Sequence, residues 1–255
     1  MSINQWNGRV WEGVFCSFDE AKGENDVFHD SLWIDKQREQ IKNKLSQLDD
    51  DKDAGISSIA QSNDYYLSVI LASQYEEHKK KLSVLDFGGG LGNTYLEVAK
   101  ILANEVDLTY VIVENENLCQ QGIELYKEDH QLEFSVELPV NTVFDTVHAG
   151  SSIQYVEDWL GVLKKFSDYQ PKYIVFADLP AGDIDTFVSI QNYYGKKIPA
   201  WFWNLSEFIN SVEVMGYKLV AKYRYFNKHV ETMSEFDEKH RLSHFSQLIF
   251  KSCGN

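Results

Sequence analysis

The sequence predicts an α/β fold: a mostly parallel sheet with helices on both faces and an antiparallel last strand. Three observations carry this. From about residue 81 onward, short apolar runs alternate with segments of helical spacing, the pattern of strands joined by crossover helices. The first run ends in a carboxylate and a glycine turn, Asp86-Phe87-Gly88-Gly89-Gly90-Leu91-Gly92-Asn93, which opens a helix. The last two runs, 217–225 and 244–251, have no helix between them, so they must pair antiparallel.

The elements follow in order. Residues 1–80 open irregularly, with Trp6, Trp11 and Trp33 among Gly8, Gly13 and Gly23, and continue as helices at about 34–48 and 63–80. The acidic run Asp49-Asp50-Asp51-Lys52-Asp53 lacks the sixth-position Gly and twelfth-position Glu of a calcium loop and reads as a solvated turn. Tyr66, Val69, Ile70, Ser73 and Tyr75 lie on or near one face of the second helix. Strands are expected at 82–86, 108–114, 132–136, 144–149, 173–178, 217–225 and 244–251. Tyr95, Leu96, Ala99, Leu102 and Ala103 mark one intervening helix, a second runs to about Tyr126, and Val156, Leu160, Leu163 and Phe166 mark a third. Asn204 with Glu207 forms a capping box ahead of the stripe Leu205, Phe208, Ile209, Val212 and Met215, and Gly216 sits at C′. The organisation expected is a mostly helical cap over 1–80 and a sheet domain over 81–255.

Lys plus Arg number 24 against 39 Asp plus Glu, a net charge of −15. That balance excludes broad binding to nucleic acid or to an anionic membrane, where basic faces supply the affinity. No basic stretch followed by an apolar one opens the chain, and no run of about 18 apolar residues occurs, so a cytoplasmic protein without membrane insertion is expected. Cys16, Cys119 and Cys253 are odd in number and far apart. They predict neither disulfides nor a metal site and read as small buried hydrophobes.

Gly88, Gly90 and Gly92 let a ligand approach the backbone at a helix N-terminus. A dinucleotide G-x-G-x-x-G counted from Gly88 would need glycine where Asn93 stands. The block instead resembles motif I of class I S-adenosylmethionine (SAM) dependent methyltransferases. The resemblance implies a Rossmann-like seven-stranded sheet and SAM held by Asp86, Gly88, Gly89, Gly90, Gly92, Glu114, Asn115, Glu137, Gly150 and Ser151. Glu114 ends the next strand, where an acid accepts hydrogen bonds from both ribose hydroxyls; methyltransferases and NAD enzymes share that feature. Trp11-Glu12-Gly13-Val14, Ile153-Gln154-Tyr155, Gln191 and Pro199-Ala200-Trp201 extend the resemblance to a family of bacterial methyltransferases associated with polysaccharide or lipopolysaccharide biosynthesis. The chain departs from that family's pattern at Gly150-Ser151 and Ala177-Asp178.

Methyl transfer is an in-line displacement that needs positioning, with a general base when the acceptor is a hydroxyl. His148, inside an apolar strand, reads as a core residue. His229, His240 and His244 lie in or beside the last connection, which emerges at the ligand edge of the sheet if the preceding strand is parallel to the others. His244, His229 and Tyr155 are the catalytic candidates. Gln154, Asp178, Gln191, Tyr193, Tyr194 and Trp201 are candidates for an acceptor wall, although Trp201-Phe202-Trp203 reads equally as a lid on the N-terminal segment. Lys218, Lys222, Arg224, Lys228, Lys239 and Arg241 outnumber the acids of 218–244, as an anchor for an anionic acceptor or as a solvated hairpin. The expected activity is O-methylation of a carbohydrate, nucleotide sugar or similar small polar acceptor. An NAD(P)-linked sugar oxidoreductase or epimerase would show G-x-G-x-x-G and Tyr-x-x-x-Lys near the loop. A noncatalytic module on the same scaffold stays open because no acid/base pair is evident.

Overall fold

The structure is a computed structural model, and it describes residues 10–23, 31–50, 65–78, 81–102, 106–193, 195–225 and 228–254. In chain order its elements are β1 (Trp11–Phe15), α1 (Phe18–Ala21), α2 (Ser31–Asp50), α3 (Tyr65–His78), β2 (Leu82–Phe87), α4 (Asn93–Leu102), β3 (Leu108–Val113), α5 (Glu116–Leu125), β4 (Leu132–Ser135), β5 (Thr146–Gly150), α6 (Trp159–Asp168), β6 (Tyr173–Leu179), β7 (Ala181–Gly182), β8 (Phe187–Tyr193), β9 (Lys196–Asn204), α7 (Leu205–Glu213), β10 (Tyr217–Tyr225) and β11 (Phe245–Ser252). Short 3-10 turns occupy Ile153–Tyr155, Lys228–Met233 and Glu238–His240. All seven expected strands form one sheet, ordered β10-β11-β6-β5-β2-β3-β4. A four-stranded sheet, β1-β8-β9-β7, was not foreseen. Among the described residues no helix is long and apolar enough to cross a membrane.

The chain divides into two compact units, one of residues 28–149 with 169–171 and the other of 1–27, 150–168 and 172–255. The helices α2 and α3 belong to the first unit, β1 and α1 to the second.

In the first unit β2, β3 and β5 are buried along most of their length, as strands covered on both faces are. β2 pairs in parallel with β3 on one side, Leu82↔Leu108 through Phe87↔Val113, and with β5 on the other, Val84↔Thr146 through Asp86↔His148. The chain steps outward from β2 to β3 to β4 and then returns to the opposite side of β2. The carboxyl ends of β2 and β5 therefore flank a topological switch point, where open α/β sheets bind ligands. The buried face of α3 is Leu67, Ser68, Leu71 and Gln74, rather than the expected Tyr66, Val69, Ile70, Ser73 and Tyr75. Gln74 explains the difference. Its Oε1 accepts from Thr146 Oγ1 at 2.7 Å and its Nε2 donates to the Asp145 carbonyl at 3.3 Å, so a polar side chain faces inward and Val69 is left exposed.

In the second unit β11 is antiparallel to both β6 and β10. β10 thus runs parallel to β6, and its following connection leaves at the carboxyl edge. β8 is buried on both sides. Phe187 packs with Trp11, Phe202 and Phe245, while Val188 and Ile190 pack with Ala21, Phe18 and Trp201. The α7 cap is a relay: the Asn204 side chain accepts from Ser206 and Glu207 N–H. Its own N–H donates to Thr186 Oγ1 at 2.9 Å, and Thr186 donates to Glu207. Cys119 is buried as expected, but Cys16 and Cys253 are exposed; they follow β1 and end β11, outside either strand's covered stretch.

Candidate functional site

At the carboxyl end of β2, Gly88, Gly90 and Gly92 have φ of +69°, +59° and +84°, left-handed values that suit glycine. Their alternation explains the D-x-G-x-G-x-G spacing. Gly88 N–H donates to the Val113 carbonyl at 2.9 Å, and Gly92 accepts from Leu96 N–H at 3.0 Å to start α4. Gly89 is required by proximity: a Cβ there would lie 2.6 Å from Asp86 Oδ2. Gly89→Ala is expected to destabilise the chain by about 1–3 kcal/mol, the usual scale of overpacking, measured by urea unfolding.

Asp86 is 1% exposed and His148 2%. Opposite each other in the β2/β5 register, they meet through Asp86 Oδ1 and His148 Nδ1 at 2.7 Å. Tyr110 Oη donates to Asp86 Oδ2 at 2.8 Å. Both carboxylate oxygens are engaged within the protein, so Asp86 braces the glycine loop from below. His148 is the core residue the sequence predicts. Tyr110 was missed, yet a tyrosine within an apolar strand carries its own signal, because its buried hydroxyl needs a partner. Tyr126 adds a second brace, donating to the Leu91 carbonyl at 2.9 Å.

Glu114 follows β3. Its Oε1 accepts from Gly90 N–H at 3.3 Å, and its Oε2 accepts from Asn115 N–H at 2.9 Å and Asn115 Nδ2 at 3.2 Å. Burial pushes its carboxyl above the ordinary carboxylate range, the Asn115 and Gly90 N–H groups oppose this, and the Asp86 charge adds to it. Asn115 also caps α5 by accepting from Leu118 N–H at 3.1 Å. Gly90 is open: an added Cβ would meet only Gln37 Oε1 within 4 Å, at 3.7 Å. Lys44 of α2 donates to Glu97 at 2.8 Å and to Asn93, tying α2 to the start of α4. Glu137 is exposed beyond β4, and its carbonyl accepts from Ser135 Oγ.

In the second unit, Tyr155 Oη donates to Gln191 Oε1 at 2.8 Å. Burial raises the Tyr155 pKa, with the charge of Asp178 and then Tyr193 adding to the rise. Its phenol stays protonated at neutral pH and donates that hydrogen bond. Asp178 has φ +50°, where the β6/β11 register slips between Ser246↔Leu179 and Leu248↔Phe176. Such conformations on a non-glycine residue concentrate at functional sites. Gln154 is buried and donates to Ser151 Oγ at 3.2 Å. Gly150 ends β5, and Ser151, with φ +52°, donates its N–H to the Ala177 carbonyl at 2.9 Å.

The structure brings Tyr155, Asp178, Gln191 and Gln154 together. His244 has Ser243 Oγ at 2.9 Å from its Nδ1, and burial followed by Arg224 and Lys222 lowers its pKa. Trp201 packs against Phe18 and the Val188 side of β8, and donates to the Glu157 carbonyl at 3.2 Å. This is the packing on the N-terminal segment, because Trp201 and Gln191 face opposite ways in the sheet. Lys239 lies 3.6 Å from Asp185, and Arg241 donates to the Ser234 carbonyl. His240 packs edge-on against Phe187. His229 falls in the turn Lys228–Met233; its side chain and Tyr194 lie outside the described residues.

No family model matches the sequence, and no curated protein matches it. Among solved structures, the chain is similar to a SAM-dependent methyltransferase from Mesorhizobium loti, with TM-score 0.52 and 11% identity over 76% of this chain and 99% of that one. A SAM-dependent methyltransferase from Clostridium acetobutylicum gives TM-score 0.50 and 12% identity over 84% and 100%. The cyclase SpnF gives 0.50 and 12% over 73% and 80%. The fold is the Rossmann-like α/β fold of these proteins, and a fold shared by methyltransferases and a cyclase leaves the chemistry to the site.

Proposed function

We propose that this chain is a SAM-dependent methyltransferase that O-methylates a small polar acceptor, a carbohydrate or nucleotide sugar. The observation that carries the reading is Glu114, an acid at the end of β3 held by the N–H of Gly90. An acid there accepts hydrogen bonds from a ribose, beside Gly90, where an added Cβ would meet only Gln37 Oε1 within 4 Å. Gly88, Gly90, Gly92 and Glu114 hold the cofactor directly, with Glu137 toward the adenine. Asp86 and Asn115 position them, since the carboxylate of one and the amide of the other are engaged internally. When bound, SAM supplies an electrophilic methyl group; the chain contributes binding, orientation and exclusion of water.

The association with polysaccharide or lipopolysaccharide biosynthesis belongs to the same proposal and rests on the sequence resemblance. A second reading is a module on the same scaffold that transfers no methyl group; the fold it shares with a cyclase keeps that reading in play. Calorimetric titration of the purified chain with SAM and with NAD separates the nucleotide readings: SAM is expected to bind and NAD not. Preferential binding of NAD would overturn the proposal. Turnover of labelled SAM with a panel of nucleotide sugars then separates catalysis from scaffolding.

A further inference from the structure

Gly92 N–H donates to the Gly89 carbonyl at 3.1 Å, so residues 89–92 close a β-turn. Gly90, at its first central position, has φ +59°, whereas Leu91, at the second, has a negative φ. That is the pattern of a type II′ turn, which takes glycine first. Gly90 N–H and the Leu91 carbonyl find partners outside the turn. The N–H donates to Glu114 Oε1 at 3.3 Å, and the carbonyl accepts from Tyr126 Oη at 2.9 Å in a buried hydrogen bond. The two sides of that second bond differ in stiffness. Tyr126 ends α5, where its N–H donates to the Gly122 carbonyl at 3.0 Å and its carbonyl accepts from Asp129 N–H at 2.8 Å. Its ring packs against Tyr95 and Phe134, each with centroids 6.1 Å away. The turn, by contrast, has glycine at three of its four positions, and glycine has the widest backbone freedom. Tyr126 is the fixed side and the turn the soft one.

We infer that Tyr126 is a positioning residue for Glu114: by holding the Leu91 carbonyl, it fixes the turn whose Gly90 N–H orients the carboxylate. Glu114 Oε2 is held locally by Asn115, so the Gly90 bond is what directs Oε1. Leu91 is inaccessible to solvent. Without the phenol hydroxyl its carbonyl would be buried and unpaired, which is unfavourable. The soft turn would shift to find that carbonyl a new partner and carry Gly90 N–H away from Oε1. Only the fraction of chains with the turn in place would then present an oriented acid, and apparent affinity falls with that fraction. The phenol acts as a donor throughout, because burial and then the Asp129 charge raise its pKa. The inference rests on the methyltransferase proposal for what Glu114 holds, but not for the coupling of Tyr126 to Glu114.

The test is a double-mutant cycle on the full chain, Tyr126→Phe with Glu114→Ala, read by SAM calorimetry across pH and by amide hydrogen exchange without ligand. Tyr126→Phe alone should weaken SAM about fivefold, and at most about twofold when Glu114→Ala is already present, the scale of one lost hydrogen bond. It should also raise the pH at which affinity falls. The Gly90 N–H lowers the Glu114 pKa against burial, so losing that bond lets the carboxyl rise further. The Asp86 charge and the Cys119 thiol, which also face Glu114, are common to both backgrounds. Tyr95→Phe is the matched control: Tyr95 is 3% exposed, packs on Tyr126, and gives its hydroxyl to Asp129 at 2.6 Å rather than to the turn. It should leave SAM affinity and its pH profile at parent values. Gly90 amide exchange should be at least about threefold faster in Tyr126→Phe than in Tyr95→Phe. If Tyr126→Phe does not fold, 4-fluorophenylalanine at 126 fills the space of the hydroxyl without donating and takes its place. 4-Aminophenylalanine there donates and should restore the parent's behaviour. Equal loss of affinity with and without Glu114, an unshifted pH profile, or Gly90 exchange no faster than in Tyr95→Phe would overturn the inference. If the parent chain binds no SAM, the methyltransferase proposal falls, and Gly90 exchange still decides the coupling.

Discussion

Asp86→Ala is expected to destabilise the chain by about 3–5 kcal/mol, the usual loss when one member of a buried pair is deleted. Asp86 is inaccessible to solvent, and it gathers His148 Nδ1 on one oxygen and the Tyr110 hydroxyl on the other. Its removal strands two buried polar groups at once. A folded domain has only about 5–15 kcal/mol in reserve, so a loss of this size moves much of the population toward the unfolded state. Asp86→Asn, which keeps the shape and can still accept from Tyr110, should lose less. Urea unfolding followed by circular dichroism measures both. A midpoint for Asp86→Ala equal to that of the parent would mean that the pair does not hold the glycine loop.

The second large effect lies at Glu114, where binding and stability are expected to move in opposite directions. Glu114→Ala should weaken SAM binding by about 1–3 kcal/mol, the scale of hydrogen bonds to a charged group. Glu114→Gln should also bind SAM more weakly, while its thermal midpoint equals or exceeds that of the parent. The sign follows from the raised pKa, which burial dominates. A carboxyl whose folded pKa lies above its unfolded value favours the folded state at low pH, and that contribution is lost as pH rises through the folded pKa. Above that folded pKa the ionised Glu114 therefore works against stability, and glutamine removes this effect. Ionisation is what two ribose hydroxyls require, so SAM affinity should fall as pH drops through the Glu114 pKa, above the ordinary carboxylate range. In Glu114→Gln that pH dependence should vanish. Calorimetry across the pH range reads the affinity, and scanning fluorimetry reads the midpoint.

The inner strands of the large sheet were legible because they are short buried runs joined by helices of 3.6-residue spacing. Glu114 was legible for a related reason: an acid directly after a buried strand marks a carboxyl edge. The four-stranded sheet was not legible. β8 is buried on both sides and so shows no two-residue alternation; β9 carries Pro199 opposite Ile190, a residue that argues against a strand; and β1 is short, with Gly13 at φ +78°. The grouping of Gln154, Tyr155, Asp178 and Gln191 was legible only in part: Gln154 and Tyr155 follow β5, whereas Asp178 lies within β6 and Gln191 within β8, a strand of the sheet that had not been predicted.

The pairing of β1 with β8 has a consequence for how the chain is made. Trp11 and Glu12 align with Gln191 and Ile190, so β1 finds its partner only when the chain about 180 residues further on has been synthesised. The unit built mainly from residues 28–149 has its residues available much earlier, and domains tend to fold as units while synthesis proceeds. β1 must wait, with Trp11 uncovered, until β8 and β9 arrive. Non-local strand pairing of this kind is slow, which makes docking of the amino-terminal strand the expected late step in refolding and Trp11 fluorescence its natural reporter.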